Sequence, residues 1–280
     1  MSSLGTRVVT AMVLAAVAFT CLFTSHYLLL LLLLAFTAGG IWEFVTLVHL
    51  YPGVVPQNPL SDKLLTTATG VVVYLLVSGI LLGLVATVAW VALMPLLLLL
   101  GIREMYVHPH GLFLRFCLLV SGILYIALPL SMVNAIAHYN GTYQPWLVLG
   151  VFFLIWANDT GAYFAGRFLG KTPLFKSISP KKTWEGSAGG LLLTMAVAFA
   201  AARLLPQISL PAWLGIAFFS VTIGTWGDLA ESMLKRNVGV KDSGNILPGH
   251  GGVLDRLDAV FFVIPFVWAW LQLAQKGWLG

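Results

Sequence analysis

The chain has 280 residues, 59% of them hydrophobic and 9% charged. Its 15 Lys and Arg and 10 Asp and Glu make 25 charges, where a soluble domain of this length carries about 70. So few charges cannot cover a globular surface. They exclude a soluble enzyme, a disordered protein and a disulfide scaffold, and leave a polytopic membrane protein in which each charge needs a reason.

No charge occurs in residues 8–42, 64–102, 116–158, 186–202, 204–227 or 259–275. About 20 apolar residues cross the bilayer core as a helix. The first three runs, of 35, 39 and 43 residues, therefore hold two spans each. They break at Thr24-Ser25-His26, at Ser78-Gly79 with Gly83, and at His138-Tyr139-Asn140-Gly141. In chain order the expected helices are 6–22, 27–48, 64–80, 83–101, 115–137, 145–166, 186–204, 211–234 and 257–275. Solid apolar runs such as Leu28–Leu34 exclude the alternating strands of a β-barrel. The expected fold is all-α and polytopic, with about nine transmembrane helices. The start of the chain has Arg7, an apolar stretch and Cys21, but no clean small-residue cleavage site, and reads as an uncleaved first helix. Cys21 and Cys117 fall in expected spans and read as packing residues.

The loops after helices two, four, six and eight hold 12 of the 15 bases, and the other side holds Arg7, Arg203 and Lys276. Positive charge is retained on the cytoplasmic side. The skew puts the even loops in the cytoplasm, with the N-terminus and the C-terminus both expected outside; Arg7 argues against an outside N-terminus. Residues 156–258 hold 17 of the 25 charges, and the first 155 residues hold seven. Residues 1–145 thus read as a transmembrane scaffold of about five helices, offering a dimer surface or a lipid-facing wall. Residues 146–280 read as a catalytic region of about four helices with two cytoplasmic loops, one basic and one Gly-rich. The inverted repeat of many transporters is not apparent.

Three clusters carry the chemistry. In the first, Asn158 and Asp159 stand in an apolar helix near its cytoplasmic end, with Asp159, Tyr163 and Gly166 on one face. A carboxylate at that depth faces a cavity or a partner, the plain partner being Arg167. The second is Ser179-Pro180-Lys181-Lys182-Thr183-Trp184-Glu185-Gly186, at the end of a loop whose bases can also meet anionic headgroups. Two ammonium groups beside a hydroxyl where a helix begins suit a polyphosphate. In the third, Asp228, Glu231, Ser232 and Lys235 share a helix face, and after the glycine-rich Gly249-His250-Gly251-Gly252 come Asp255, Arg256 and Asp258. Carboxylates from two helices form a hard-cation site. The competing account is a salt-bridge network such as Asp228 to Arg256, which explains the charges but not the glycines. Together the clusters suit metal-assisted transfer of a phosphate-containing group between a nucleotide and a lipid. No P-loop is present.

The stretch Ser232-x-Leu234-Lys235-Arg236-x4-Lys241-Asp242-x-Gly244-x2-Leu247-Pro248-x-His250-Gly251-Gly252-Val253-x-Asp255-Arg256-Leu257-Asp258 resembles the signature of the phosphatidate cytidylyltransferases (CDP-diacylglycerol synthases). Asn158-Asp159-x2-Ala162-Tyr163-x2-Gly166-Arg167 and Ser179-Pro180-Lys181-Lys182-Thr183-x-Glu185-Gly186 also resemble that family. The specific resemblance covers residues 156–258; the first 145 match only in hydrophobicity and span number. It implies that CTP and phosphatidate give CDP-diacylglycerol and pyrophosphate, at the cytoplasmic face of a bacterial inner membrane. It implies Mg2+, a second monovalent cation such as K+, a homodimer and no nucleic-acid partner. Asp228 and Asp255 match the family's metal-binding aspartates, with Glu231 and Asp258 as further candidate ligands. Lys181, Lys182 and Thr183 would help hold the nucleotide phosphates. Asp228, Asp255, Lys235, Arg236 and His250 are the candidate catalytic groups, and Asn158, Asp159, Ser232, Lys241, Gly251, Gly252 and Arg256 complete the candidate substrate pocket. A phosphate monoester is largely ionised near neutrality, so His250 is assigned to positioning rather than to base catalysis. Two other readings are a CTP-dependent polyprenol or phytol kinase, which would release CDP, and an ion or phosphate transporter, which would need polar groups at several depths. A scaffold whose charges merely pair is a third.

Overall fold

The structure is a computed structural model that describes residues 3–107, 112–176, 178–247, 249 and 251–277. Its helices are α1 (Ser3–Thr24), α2 (His26–His49), α3 (Pro59–Leu81), α4 (Leu93–Val107), α5 (Leu112–Ala137), α6 (Pro145–Leu169), α7 (Trp184–Leu204), α8 (Leu210–Asn237) and α9 (Leu254–Gln275). Between α6 and α7 lies a small hairpin, β1 (Pro173–Phe175) and β2 (Ser179–Thr183), which the all-α expectation lacked.

Local chemistry sets the helix starts. Ser25 caps α2 by accepting from the Tyr27 N–H, and Asn58 caps α3 by accepting from Ser61, with Pro59 as the first helical residue. The helix therefore begins five residues before the charge-free run at 64. The expected helix 83–101 instead begins as a 3-10 turn (Thr87–Ala92), runs into α4 and continues to Val107. Arg103 and Glu104 do not end it, because both are paired inside the protein.

Eight helices, α2 to α9 with the 3-10 turn counted into α4, are long and apolar enough to cross a membrane among the described residues. The apolar stretch Val8–Thr24 of α1 is shorter. Nine spans and two outside termini cannot both hold, because an odd number of crossings separates the chain ends. A crossing α1 puts the N-terminus on the face of the basic loops, where Arg7 joins their charges. With α2 to α9 alone, both ends share the opposite face.

The chain forms two compact units that do not follow a single cut. The first holds residues up to Ala135 together with Asn237–Leu257, so the Gly-rich loop packs with the N-terminal helices. The second holds Ile136–Arg236 and the chain from Asp258 onward.

In the first unit, Ile41, Val45, Val73, Val77, Leu119, Ile123 and Ile126 are completely buried. Buried polar groups there pair across helices. The Tyr74 hydroxyl donates to the Leu30 carbonyl (2.9 Å), while Asn134 donates to Tyr74 (2.8 Å) and to Ser78 (3.1 Å). An ion network ties four helix ends. Arg103 Nη1 lies 2.6 Å from Asp62 Oδ1, and Arg115 Nε lies 2.5 Å from Glu104 Oε2. Arg115 also bonds Asp62, Arg103 also bonds Glu104, and His49 Nε2 stands 3.4 Å from Asp62.

In the second unit, α6 and α7 meet backbone to backbone along small residues, the usual device where lipid offers no hydrophobic drive. A Cβ on Gly161 would stand 2.7 Å from the Gly189 carbonyl oxygen, and one on Gly186 would stand 2.9 Å from that of Ala162. A side chain at Gly189 would overlap Ala165. Gly189→Val is expected to cost about 1–3 kcal/mol or more, read as a lower thermal midpoint in detergent; an unchanged midpoint would show that the seam yields freely. Trp213, fully buried, fills the space left by Gly150.

Candidate active site

The second unit gathers acids from three helices around one lysine. Lys182 sits on β2, and its Nζ lies 2.5 Å from Asp228 Oδ2 of α8 and donates to the Thr225 carbonyl (3.4 Å). Asp159 of α6 feels the charges of Asp228 and Lys182. Asp258 of α9 feels Asp228, Asp159 and Lys182. Ser232, one turn on from Asp228, donates to its Oδ1 at 3.3 Å. Three carboxylates and one ammonium carry a formal charge of −2, an excess that a bound cation or the protonation of an acid balances at membrane depth. Asp159 is exposed on this chain, and the Asp228 and Lys182 side chains are about a third and a quarter exposed, so the group is open to a ligand.

The close approach of α8 to α9 rests on Gly227, where a Cβ would stand 2.9 Å from the Asp258 carbonyl oxygen. Lys182 is held from the other side. Thr183 caps α7, its hydroxyl accepting from the Gly186 N–H (3.1 Å). The Glu185 carboxylate accepts from the Lys171 and Thr172 backbone N–H groups at 3.1 Å each, which ties the foot of the hairpin to the start of α7. Thr183 and Glu185 thus have structural work here, and Lys181 is exposed beside them. Arg167 donates to the Tyr163 hydroxyl (2.9 Å) instead of forming the expected alternative pair with Asp159. Asn158 is buried, and its Oδ1 has no hydrogen-bond partner among the described residues.

Two residues expected on the Asp228 face are committed elsewhere: Glu231 is buried and lies 2.7 Å from Lys235, one turn on. Asp228 itself is paired with Lys182. Arg236, Lys241 and Arg256 are exposed. His250 and Pro248 lie outside the described residues.

In the first unit, Asp255 organises the Gly-rich loop. Its Oδ2 accepts from the Ser243 N–H (2.9 Å), the Ser243 hydroxyl (3.0 Å) and the Gly252 N–H (2.8 Å). Leu247 pairs with Gly251, whose φ of +81° suits glycine, and a Cβ there would stand 2.8 Å from Asp255 Oδ2. The same loop meets a residue that the sequence reading passed over, Glu43 of α2. It is 2% exposed, and its Oε2 accepts from the Leu254 N–H (3.1 Å) and the Ser243 hydroxyl (3.4 Å). A lone carboxylate in an apolar helix was the available signal.

The chain matches the Cytidylyltransferase family over residues 5–274. It belongs to that family. It is 34% identical to a phosphatidate cytidylyltransferase of Haemophilus influenzae over 285 residues, covering 93% of this chain and 96% of that one. It is also similar to the phosphatidate cytidylyltransferase of Bacillus subtilis, at 50% identity over 122 residues, 43% of this chain and 45% of the other. A Staphylococcus aureus protein of the same name is 45% identical over 122 residues, 43% of this chain and 46% of its own. The charge-poor composition and the membrane-length helices accord with that membership.

Among the described residues, no three His, Cys, Asp or Glu stand close enough to enclose a metal by themselves. Mg2+ seldom uses such a cage: it binds one or two carboxylates and completes its shell with water and substrate phosphates. The surplus negative charge around Asp228 fits an ion held in that way.

Proposed function

We propose that the chain transfers the cytidylyl group of CTP to phosphatidate, giving CDP-diacylglycerol and pyrophosphate. Family membership and the names of its relatives support the reaction, and the observation that carries it to a site is the group Asp159, Asp228, Asp258 and Lys182. A phosphate oxygen of phosphatidate attacks the α-phosphorus of CTP. One P–O bond forms, the bond from the α-phosphorus to the bridging oxygen breaks, and pyrophosphate leaves with the electron pair. The lipid phosphate is already ionised, so no strong base is required. Positioning and charge neutralisation then dominate the barrier.

Mg2+ is the cation that best suits the acids. Asp228, with Asp258 beside it, would hold it, and the resemblance assigns Asp255 to metal binding as well. Bound there, Mg2+ would neutralise phosphate charge and align attacking and leaving oxygens. Lys182 orients Asp228 and offers its ammonium to the nucleotide phosphates, as Lys181 does from the exposed edge of the hairpin. A monovalent second cation, a homodimer and a site facing the cytoplasm of a bacterial inner membrane complete the proposal. The concentration of bases in the loops after α2, α4, α6 and α8 supports that orientation.

Purified protein given phosphatidate, α-labelled CTP and Mg2+ is expected to form a labelled CDP-lipid and pyrophosphate. EDTA should abolish both products and excess Mg2+ restore them. No product with phosphatidate, but CDP release with a polyprenol, would overturn the proposal in favour of a lipid kinase.

A further inference from the structure

The Gly-rich loop does not rest on Asp255 alone. Residues 243, 244, 246 and 252–254 meet one face of α2, where Gly39, Gly40 and Glu43 follow helical spacing. A Cβ on Gly39 would stand 3.3 Å from Val253, and one on Gly40 would stand 3.6 Å from Leu254. A side chain at Gly39 would press on the loop, and Gly40 lets the loop come into van der Waals contact. The Glu43 carboxylate enters the gap that remains. A Cβ added at Gly244 would overlap its Oε1, and one at Gly252 its Oε2, so the carboxylate is clasped by two glycines that precede and follow the loop's turn. Ser243, buried, gives its hydroxyl to both Glu43 Oε2 and Asp255 Oδ2. Glu43 Oε1 has no hydrogen-bond partner among the described residues.

A carboxylate in a membrane helix costs several kcal/mol of desolvation unless its bonds compensate it. Hydrogen bonds of 3.1 and 3.4 Å and one oxygen without such a bond among the described residues are modest compensation for stability alone. What the arrangement does supply is position: one side chain fixes Ser243, the first turn of α9 at Leu254 and, through the Ser243 hydroxyl, the Asp255 carboxylate.

We infer that Glu43 is a positioning residue for the reaction, acting through the loop 243–254 and the Asp255 carboxylate rather than on substrate. The inference rests on the function proposed above. Outer partners that orient a ligand typically contribute about 10- to 100-fold to activity or metal affinity. Glutamine at position 43 keeps the shape and one acceptor oxygen for Leu254 and Ser243, with its NH2 in the place of the orphaned Oε1.

The test combines kinetics with hydrogen exchange on the full chain in detergent or nanodiscs. In Glu43→Ala, amide exchange in residues 243–254 is expected to rise while α6 and α7 keep their protection. Its kcat per folded protein is expected to fall by about 10- to 100-fold, with KM for phosphatidate changed by less than about twofold. Glu43→Gln should recover most of that loss. Gly244→Ala should also lose activity, and the Glu43→Ala/Gly244→Ala double variant should be no worse than the poorer single one, because the two act on one contact. Unchanged exchange in residues 243–254 overturns the inference. So does an unchanged kcat beside an active wild type, a loss that only tracks the unfolded fraction, or a double variant showing the product of the two losses. A wild type that forms no CDP-lipid fails the proposed function instead, and the exchange experiment then decides the Glu43 contact by itself.

Discussion

Replacing Asp228 by Asn is expected to lower kcat by about 10²- to 10³-fold, the range found when a preorganised electrostatic group at a reacting phosphate or oxyanion is lost. The substitution keeps the size of the side chain. It also brings the formal charge of the Asp159, Asp228, Asp258 and Lys182 group from −2 to −1, so it relieves repulsion and leaves Lys182 with two acids in reach. The fold should therefore survive, with a thermal midpoint at or above that of the wild type. What is lost is the carboxylate that holds Lys182 at 2.5 Å and that is best placed to take Mg2+. The measurement is CDP-lipid formation under saturating CTP across a Mg2+ titration. Activity within a fewfold of wild type would remove Asp228 from the chemistry and revive the scaffold reading, in which the charges merely pair.

The largest loss of stability is expected from Arg115→Met, at about 3–5 kcal/mol, the cost of leaving buried charge without its partner. Arg115 is 3% exposed, and its guanidinium bonds Asp62 and Glu104, both completely buried. Without it, two carboxylates face the single guanidinium of Arg103, and the network passes from neutral to −1. The ends of α3, α4 and α5 would lose their common tie. Adding Asp62→Asn restores neutrality, so the double variant should melt above the single one in detergent. A double variant that melts lower would show that bond geometry, not charge balance, sets the stability of this corner.

Much of this was legible in the chain because charges are scarce in it. Asp159, Asp228 and Asp258 stood out as carboxylates in apolar helices, and the structure groups them within the second unit. Lys182 stood out as a base at a helix start. Its pairing with Asp228 was not legible, because it depends on a hairpin whose strands are three and five residues long and whose register follows from tertiary contacts. Arg103 and Glu104 fell beyond the expected end of the helix 83–101. They extend it instead, because opposite charges on neighbouring helices cancel the cost that periodicity alone assigns to each. Glu43 was hidden by its place in the scaffold half. Its partners are about 200 residues away in sequence, and no local spacing links them. The parity of the spans needed only counting, and it removes the pairing of nine crossings with two outside ends.

The Glu185 clamp joins the two ends of the hairpin, at Lys171 and Thr172 and at the start of α7, into a ring without a covalent bond. Like a cyclised peptide, such a ring has surrendered much of its conformational freedom before any ligand arrives. A nucleotide meeting Lys181 and Lys182 need not first bring order to a free loop, so less of its binding energy is spent on ordering the protein and more remains for the reacting phosphates.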